Sequence, residues 1–281
     1  MGRHRTVAII QAMEKRIKLG IPVTEIFFTI EDKILSIIDV LELRRCETRK
    51  LPANKEIIFH SNYGITTEDF IERMKDEGIF GYLNEHKINF FSCDLGPACA
   101  KVKIDNGIYI PISKTLSRDQ ILEIAKRNID FIREHFRGTI AVENLNYYNT
   151  GAYEHICDPR FIPEFLTRFN LLFILDIAHA RISAKNLGYN LEEYILSMPL
   201  EKIAGIHLSK ATLMNGIYRD THSIPDDEEY EILKVILLKI SAATITIEYY
   251  KDKDILFNAY KQLIRRLDKY EKTYLGYCTP R

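Results

Sequence analysis

The chain has 281 residues, 46% hydrophobic and 28% charged, enough apolar material for a large core beneath a solvated surface, which excludes disorder and collagen-like repeats. Its 39 Lys+Arg cancel 39 Asp+Glu, so no global charge advertises a polyanion, and nucleic acid binding would have to be argued from a site. Cys46, Cys93, Cys99, Cys157 and Cys278 form an odd, scattered set without a CxxC pair, which argues for a reducing compartment and against structural zinc. The basic N-terminus has no apolar run long enough for a signal-peptide core, and no later segment approaches the roughly 18 apolar residues of a membrane span. The expectation is a cytoplasmic protein.

Short apolar, β-branched runs alternate with longer helical patterns, the mark of βα units around a parallel sheet. The expected strands are Ile26–Ile30, Val40–Leu43, Glu56–His60, Ile88–Cys93, Thr139–Glu143, Leu171–Asp176, Ile203–His207 and Thr244–Glu248. Eight such units fit a (β/α)8 barrel of about 250 residues, with an irregular N-terminal part where the first two strands crowd together. Helices are expected after Thr67, from Ser117 with Gly138 as the stop, from Pro225, and through DKDILFNAYKQLIRRLDKYEK at the end. With no Gly/Ser-rich linker, low-complexity tract or fixed-period repeat, residues 1–281 read as one domain.

The informative feature is how the strands end. His60 closes IIFH, Cys93 and Asp94 follow INFFS, Glu143 closes TIAVE, Asp176 closes LLFILD, His207 closes IAGIH and Glu248 closes TITIE. In a parallel barrel these positions share the C-terminal rim, where catalytic groups of such barrels lie. With 8 His and 39 acidic residues in 281, about one position in six carries such a donor by chance, so six consecutive strand ends imply a functional cluster. Asp176-Ile-Ala-His179 and Asp220-Thr-His222 add donors. His60, Glu143, Asp176, His179, His207, Asp220, His222 and Glu248 exceed the four to six ligands of one ion, which favours two or three metals with bridging carboxylates. No glycine-rich phosphate loop, GxSxG elbow or GxGxxG follows a strand. Cys93 as a nucleophile beside His60 or His207, and Glu143 with Glu248 as a glycosidase pair, remain weaker alternatives.

The segments VENLNYY, LDIAHA, IHLSK, DTH and TIE resemble metal-binding stretches of endonuclease IV, within the xylose-isomerase-like TIM barrels. The spacing from Glu143 to Asp176, His207 and Asp220, and the segment ISAKNLGYNLEEYILSMPLEKIAGIHL, are more similar to the multinuclear non-heme iron-dependent oxidases of the methanobactin-biosynthesis type. The resemblance runs from Leu41 to Tyr249. It implies an oxidase using O2 at two or three iron ions on a peptide or small thiol substrate. Three positions depart from that pattern. Ser92-Cys93-Asp94-Leu95 stands where the oxidases have an Asp-His pair, making Asp94 the substitute ligand; His179 replaces their asparagine, as in the endonuclease; and the N-terminal region is shorter.

The expected groupings are Glu143, Asp176, His207 and Glu248 at one ion, His60 with bridging Glu143 and Asp94 at a second, and His179, Asp220 and His222 at a third. Alternatives are a phosphoesterase with zinc or manganese, a sugar isomerase, and a non-catalytic barrel with a structural metal. The donors alone name neither metal nor substrate.

Overall fold

The computed structural model describes residues 16–240 and 242–274. Eight strands close into a barrel: β1 (Arg16–Pro22), β2 (Val40–Leu43), β3 (Glu56–Gly64), β4 (Phe90–Asp94), β7 (Thr139–Glu143), β8 (Leu172–Asp176), β9 (Ile203–Leu208) and β12 (Ala242–Ile247). Every neighbouring pair is parallel. Helices pack outside: α1 (Glu25–Ile34), α2 (Phe70–Asp76), α3 (Ile79–Glu85), α4 (Arg118–His135), α5 (Phe161–Arg168), α6 (Ile177–Leu187), α7 (Leu191–Leu196), α8 (Asp227–Leu237) and α9 (Lys253–Tyr274). This is the (β/α)8 barrel that the alternation implied.

One strand is corrected. Ile26–Ile30 lies inside α1, and the barrel's first strand is Arg16–Pro22. The run IFFTI looks like a buried strand because it is apolar. Yet its buried positions are Phe27, Ile30 and Ile34, the three- and four-residue spacing of one helix face.

Helix boundaries follow local capping chemistry. Ser117 accepts from the Gln120 N–H and Gln120 answers to the Ser117 N–H, a reciprocal capping box that opens α4. At the other end Phe136 is the cap, so Gly138 lies beyond the helix end it was expected to make. Asp226, rather than Pro225, caps α8, with Glu229 completing a second box. Asp69, rather than Thr67, precedes α2; the Thr67 hydroxyl donates to the Gly64 carbonyl instead.

Two antiparallel hairpins outside the barrel escape the strand expectations. β5 (Val102–Asp105) pairs with β6 (Ile108–Pro111), and β10 (Lys210–Met214) with β11 (Ile217–Ser223). Each turns on Asn-Gly with both residues at positive φ: Asn106 at 50° and Gly107 at 77°, Asn215 at 52° and Gly216 at 80°. Such backbone suits the tight two-residue hairpin turn, and Asn and Gly tolerate it best. The Arg219 Nη1 donates to the Asn106 carbonyl at 3.1 Å and joins the two hairpins.

Candidate metal centre

Strand parity builds the site. Successive side chains alternate between faces, so inward residues in the lower barrel predict which strand-end residues also face inward. Lys18, Glu56, Ile58, Phe90, Ile174, Gly205 and Thr244 line a cavity of about 440 Å³ at the N-terminal end of the barrel. Strand parity likewise turns Glu42, His60, Asp94, Glu143, Asp176, His207 and Glu248 inward, with Glu42 and His207 forming the end of that lower cavity nearest the C-terminal mouth. All seven are buried.

Each strand histidine has one ring nitrogen tied back and the other turned inward. His60 Nδ1 lies 3.0 Å from Ser92 Oγ, whose hydroxyl donates to the Phe59 carbonyl at 3.4 Å. The hydroxyl oxygen therefore accepts from His60 Nδ1–H, leaving the Nε2 lone pair 3.1 Å from Glu143 Oε2 and 3.6 Å from Asp94 Oδ1. His207 is reversed: Nε2 lies 3.1 Å from Glu42 Oε2, while Nδ1 is 3.2 Å from Glu143 Oε2 and 3.4 Å from Glu248 Oε1. Glu143 Oε2 thus sits between the free nitrogens of two histidines.

The mouth side draws on other elements. Asp176 caps α6, its Oδ1 accepting the His179 N–H at 2.6 Å, and this turn carries the His179 ring over the barrel. His179, Glu143 and Asp176 bring donor atoms close enough for an ion, but the His179 nitrogen that faces the two carboxylates, Nδ1, at 3.3 and 3.9 Å, also lies 2.8 Å from the Asn144 carbonyl. A carbonyl only accepts, so Nδ1 carries the proton, and the donor nitrogen is Nε2, 3.3 Å from Asp220 Oδ2. His222 Nε2 is 3.3 Å from the same Asp220 oxygen and 3.2 Å from Glu248 Oε2. His222 itself holds φ of 44°, a left-handed conformation that histidine tolerates better than most non-glycine residues.

All nine residues expected from the sequence gather toward the C-terminal end of the barrel: His60, Asp94, Glu143, His179, Asp220, His222 and Glu248 line the mouth cavity, whereas Asp176 is buried outside its lining and His207 lines the lower cavity. Their groupings depart from the expected ones: Glu143 and Glu248 both face His207 Nδ1, but His207 clusters with His60 and Glu143 and again with Glu42 and Glu248, Asp176 clusters with Glu143 and His179, and Asp94, Asp220 and His222 fall in none of these clusters. Cys93, the alternative nucleophile, is fully buried in the apolar core on the opposite face of β4 from Ser92 and Asp94. Burial, with the Asp94 charge beside it, pushes its thiol well up, which disfavours the thiolate a nucleophile needs. Sequence reasoning missed Glu42 and Arg44. A carboxylate inside the apolar strand VLEL, two residues before an arginine of the same parity, was the available signal.

Burial and crowding shift the titrations. Burial alone would lower His207, but Glu42 and Glu143 raise it to about 10. Burial likewise opposes protonation of His179, yet Asp176, Asp220 and Glu143 hold it well above the ordinary range. His222 is lowered by burial, helped by His179 and Arg44. Burial and the like charges of Glu143 and Asp220 push Asp176 up to about 7, against His179 and His207. Asp220 is drawn down to about 2, its burial outweighed by the His179 hydrogen bond and the neighbouring His222.

Three buried atoms at the centre have no hydrogen-bond partner: Glu42 Oε1, which the Arg44 guanidinium faces as an ion pair, and two without such a counter-charge, Asp176 Oδ2 and His207 Nδ1. Leaving such an atom unsatisfied costs about 1–3 kcal/mol; a cation among these donors would satisfy both and offset the repulsion of the packed carboxylates. The donor set therefore fits metal ions. Above it opens a cavity of about 540 Å³, walled by Tyr109, Tyr148, Tyr153 and Tyr250 and roofed by Asn106 and Arg219 of the hairpins.

Fold and site together define a (β/α)8 barrel with a His/carboxylate centre at its C-terminal mouth. The chain belongs to the family described as RiPP precursor modification enzyme MbnB/TglH/ChrH, which it matches over residues 50–273. It is 27% identical over 115 residues to a UPF0276 protein of Vibrio parahaemolyticus, covering 40% of each chain. To a UPF0276 protein of Pseudomonas aeruginosa it is 26% identical over 159 residues, 55% of this chain and 53% of that one. The matches thus span about two fifths to half the length of these curated relatives. Among solved structures it is similar to L-ribulose 3-epimerase, with a TM-score of 0.59, 11% identity and coverage of 94% and 99% of the two chains. It is also similar to the Escherichia coli 3-keto-D-glucoside 4-epimerase YcjR, with a TM-score of 0.55, 13% identity and coverage of 90% and 100%. At such identities the likeness shows the barrel fold alone. Among the described residues no helix is long and apolar enough to cross a membrane.

Proposed function

We propose that this chain is an iron-dependent oxidase that modifies a peptide, with dioxygen as the electron acceptor, and that His60, Asp94, Glu143, Asp176, His179, His207, Asp220, His222 and Glu248 hold two or three ions. The observation that carries this reading is Glu143, whose Oε2 lies between the inward nitrogens of His60 and His207, 3.1 and 3.2 Å away. A carboxylate so placed can bridge, and mixed imidazole and carboxylate donors suit iron, with zinc and manganese as competitors. Bound iron would supply the redox chemistry that none of these side chains has.

The chain's own residues supply the rest. Ser92, Glu42 and Asn144 orient the three inner histidines. The tyrosine wall excludes water from one side of the cavity and offers faces on which a peptide side chain can stack. The Tyr148 hydroxyl donates to the Tyr218 carbonyl at 3.0 Å, tying the hairpin that carries Asp220 and His222 to the loop after β7. Membership in a family of precursor-peptide modification enzymes supports a peptide substrate.

Metal analysis with Mössbauer and EPR spectroscopy on anaerobically purified protein tests the reading. Two or three iron ions per chain, coupled to one another, and oxygen uptake on adding cysteine-containing peptides are the expected results. Zinc in place of iron with hydrolysis of bis(p-nitrophenyl) phosphate, or epimerisation of a ketohexose without oxygen uptake, overturns it.

A further inference from the structure

We infer that Glu42 and Arg44 of β2 are positioning residues for the metal centre: Glu42 holds His207 by Nε2 so that Nδ1 is presented to the metal, and Arg44 fills the cation position between Glu42 and Glu248. The inference rests on the metal-centre reading above and assigns work to two residues outside its ligand set.

By spacing alone, Glu42, His207 and Glu248 form a metal triad, with donor atoms within 4.8 Å of one another. Two observations argue against an ion there. The Arg44 Nη2 lies 2.5 Å from Glu42 Oε1 and also contacts Glu248 Oε1, so a guanidinium stands between the two carboxylates. A second cation in that space would meet the first. His207, moreover, faces Glu42 with Nε2, and a neutral imidazole has only one lone pair. A carboxylate at 3.1 Å selects the Nε2–H form and leaves the lone pair on Nδ1, toward Glu143 and Glu248.

The remaining contacts of Glu42 agree with this role. Its Oε2 also accepts from Thr246 Oγ1 at 3.1 Å, so the oxygen nearest His207 is occupied by two donors, and its other oxygen faces Arg44. Glu42 is 1% exposed, and a carboxylate this deep persists as an anion only beside such partners. Arg44 in turn restrains Glu248 at Oε1, which leaves Oε2 directed at His222. The pair thus sets one nitrogen and one oxygen of the centre without ligating an ion.

The test uses the full chain, stripped of metal, labelled with 15N-histidine and titrated with Zn(II) as a diamagnetic probe. In the wild type, His207 should show a protonated Nε2 and a zinc-bound Nδ1. Glu42→Leu removes the acceptor and should weaken one zinc equivalent about 10- to 100-fold, with loss of the protonated-Nε2 signature. Glu42→Gln keeps an acceptor and should retain that signature with a smaller loss of affinity. Arg44→Met removes the cation that restrains Glu248 Oε1 and should weaken the same zinc equivalent without adding another. If Glu42→Leu does not fold, Glu42→Gln and Arg44→Met carry the test. Wild-type affinity and tautomer in the Glu42 variants, or wild-type zinc affinity in Arg44→Met, overturns this inference alone. A wild-type chain that takes up no zinc overturns the metal-centre reading beneath it.

Discussion

The two sides of the centre are built from different materials. His60, Glu143 and His207 come from barrel strands, and their side chains are only 2–3% exposed. His179 comes from the first turn of α6, and Asp220 and His222 from a hairpin outside the barrel; their side chains are 13%, 11% and 35% exposed. A closed ladder fixes the first set by backbone hydrogen bonds on both sides of every strand, whereas the second depends on one helix cap and one two-stranded ribbon. The difference teaches that an ion on the strand side should be held tightly in a dry, rigid setting, and an ion at the mouth should exchange with solvent and respond to the hairpin.

The sharpest way to break this contrast is Glu143→Gln. The substitution leaves the volume almost unchanged but removes the charge shared by His60, His207 and His179. Loss of a bridging ligand should exceed the effect of losing a ligand's hydrogen-bond partner, so strand-side affinity should fall by more than about 100-fold. Elemental analysis after gel filtration, with competition against a chromophoric chelator, measures it. Wild-type affinity on the strand side would show that Glu143 is not a shared ligand.

Proton release sharpens it further. In metal-stripped protein at pH 7, His207, raised to about 10, and His179, also raised, carry protons, whereas His222, lowered, does not. Ligation requires a lone pair, so each of the first two must lose a proton on binding and His222 loses none. Affinity at the His207 position should therefore fall about tenfold for each pH unit below 10. Calorimetry in buffers of different ionisation enthalpy counts the protons. Binding that releases none, with affinity independent of pH between 6 and 8, contradicts the assignment.

Separate alanine substitutions at His179 and His222 come next. Both rings face Asp220 Oδ2, so His179→Ala and His222→Ala should lose the same ion and leave the strand-side ion in place. Anomalous diffraction at the metal edge distinguishes this from the loss of different ions, which would reject a shared mouth site.

The same contrast explains what the sequence revealed. Glu143, Asp176 and His207 were legible because each ends an apolar strand, and parity leaves such a side chain few destinations besides the lumen. His179, Asp220 and His222 were legible through short DxxH and DxH spacings. Glu42 was not, because a single acid within VLEL gives no period to read; its role comes from His207, 165 residues away. The run IFFTI misled because five apolar or β-branched residues satisfy strand and helix alike, and only the longer pattern of Phe27, Ile30 and Ile34 decides. The hairpins were legible in principle, since IDNGIYI and TLMNGIYR each set Asn-Gly between extended runs.

Those hairpins supply the smallest and most selective test. Gly107 and Gly216 occupy the same turn position, with φ of 77° and 80°, and a Cβ at either would meet no atom within 4 Å. Replacement by alanine therefore acts through backbone strain alone, about 1 kcal/mol at each site. Only the second hairpin carries donors. Gly216→Ala should loosen β11 and raise the mouth ion's dissociation rate by a few-fold, since about 1.4 kcal/mol corresponds to tenfold and part of the strain is absorbed within the turn. Gly107→Ala should cost similar stability in a thermal melt and leave that rate unchanged, because β5 and β6 hold none of the nine candidate ligands. Stopped-flow chelation of Zn(II) from both variants gives the comparison directly. Equal rates in the two would mean that the hairpin's rigidity does not govern the mouth ion, and the contrast between the two sides would then rest on burial alone.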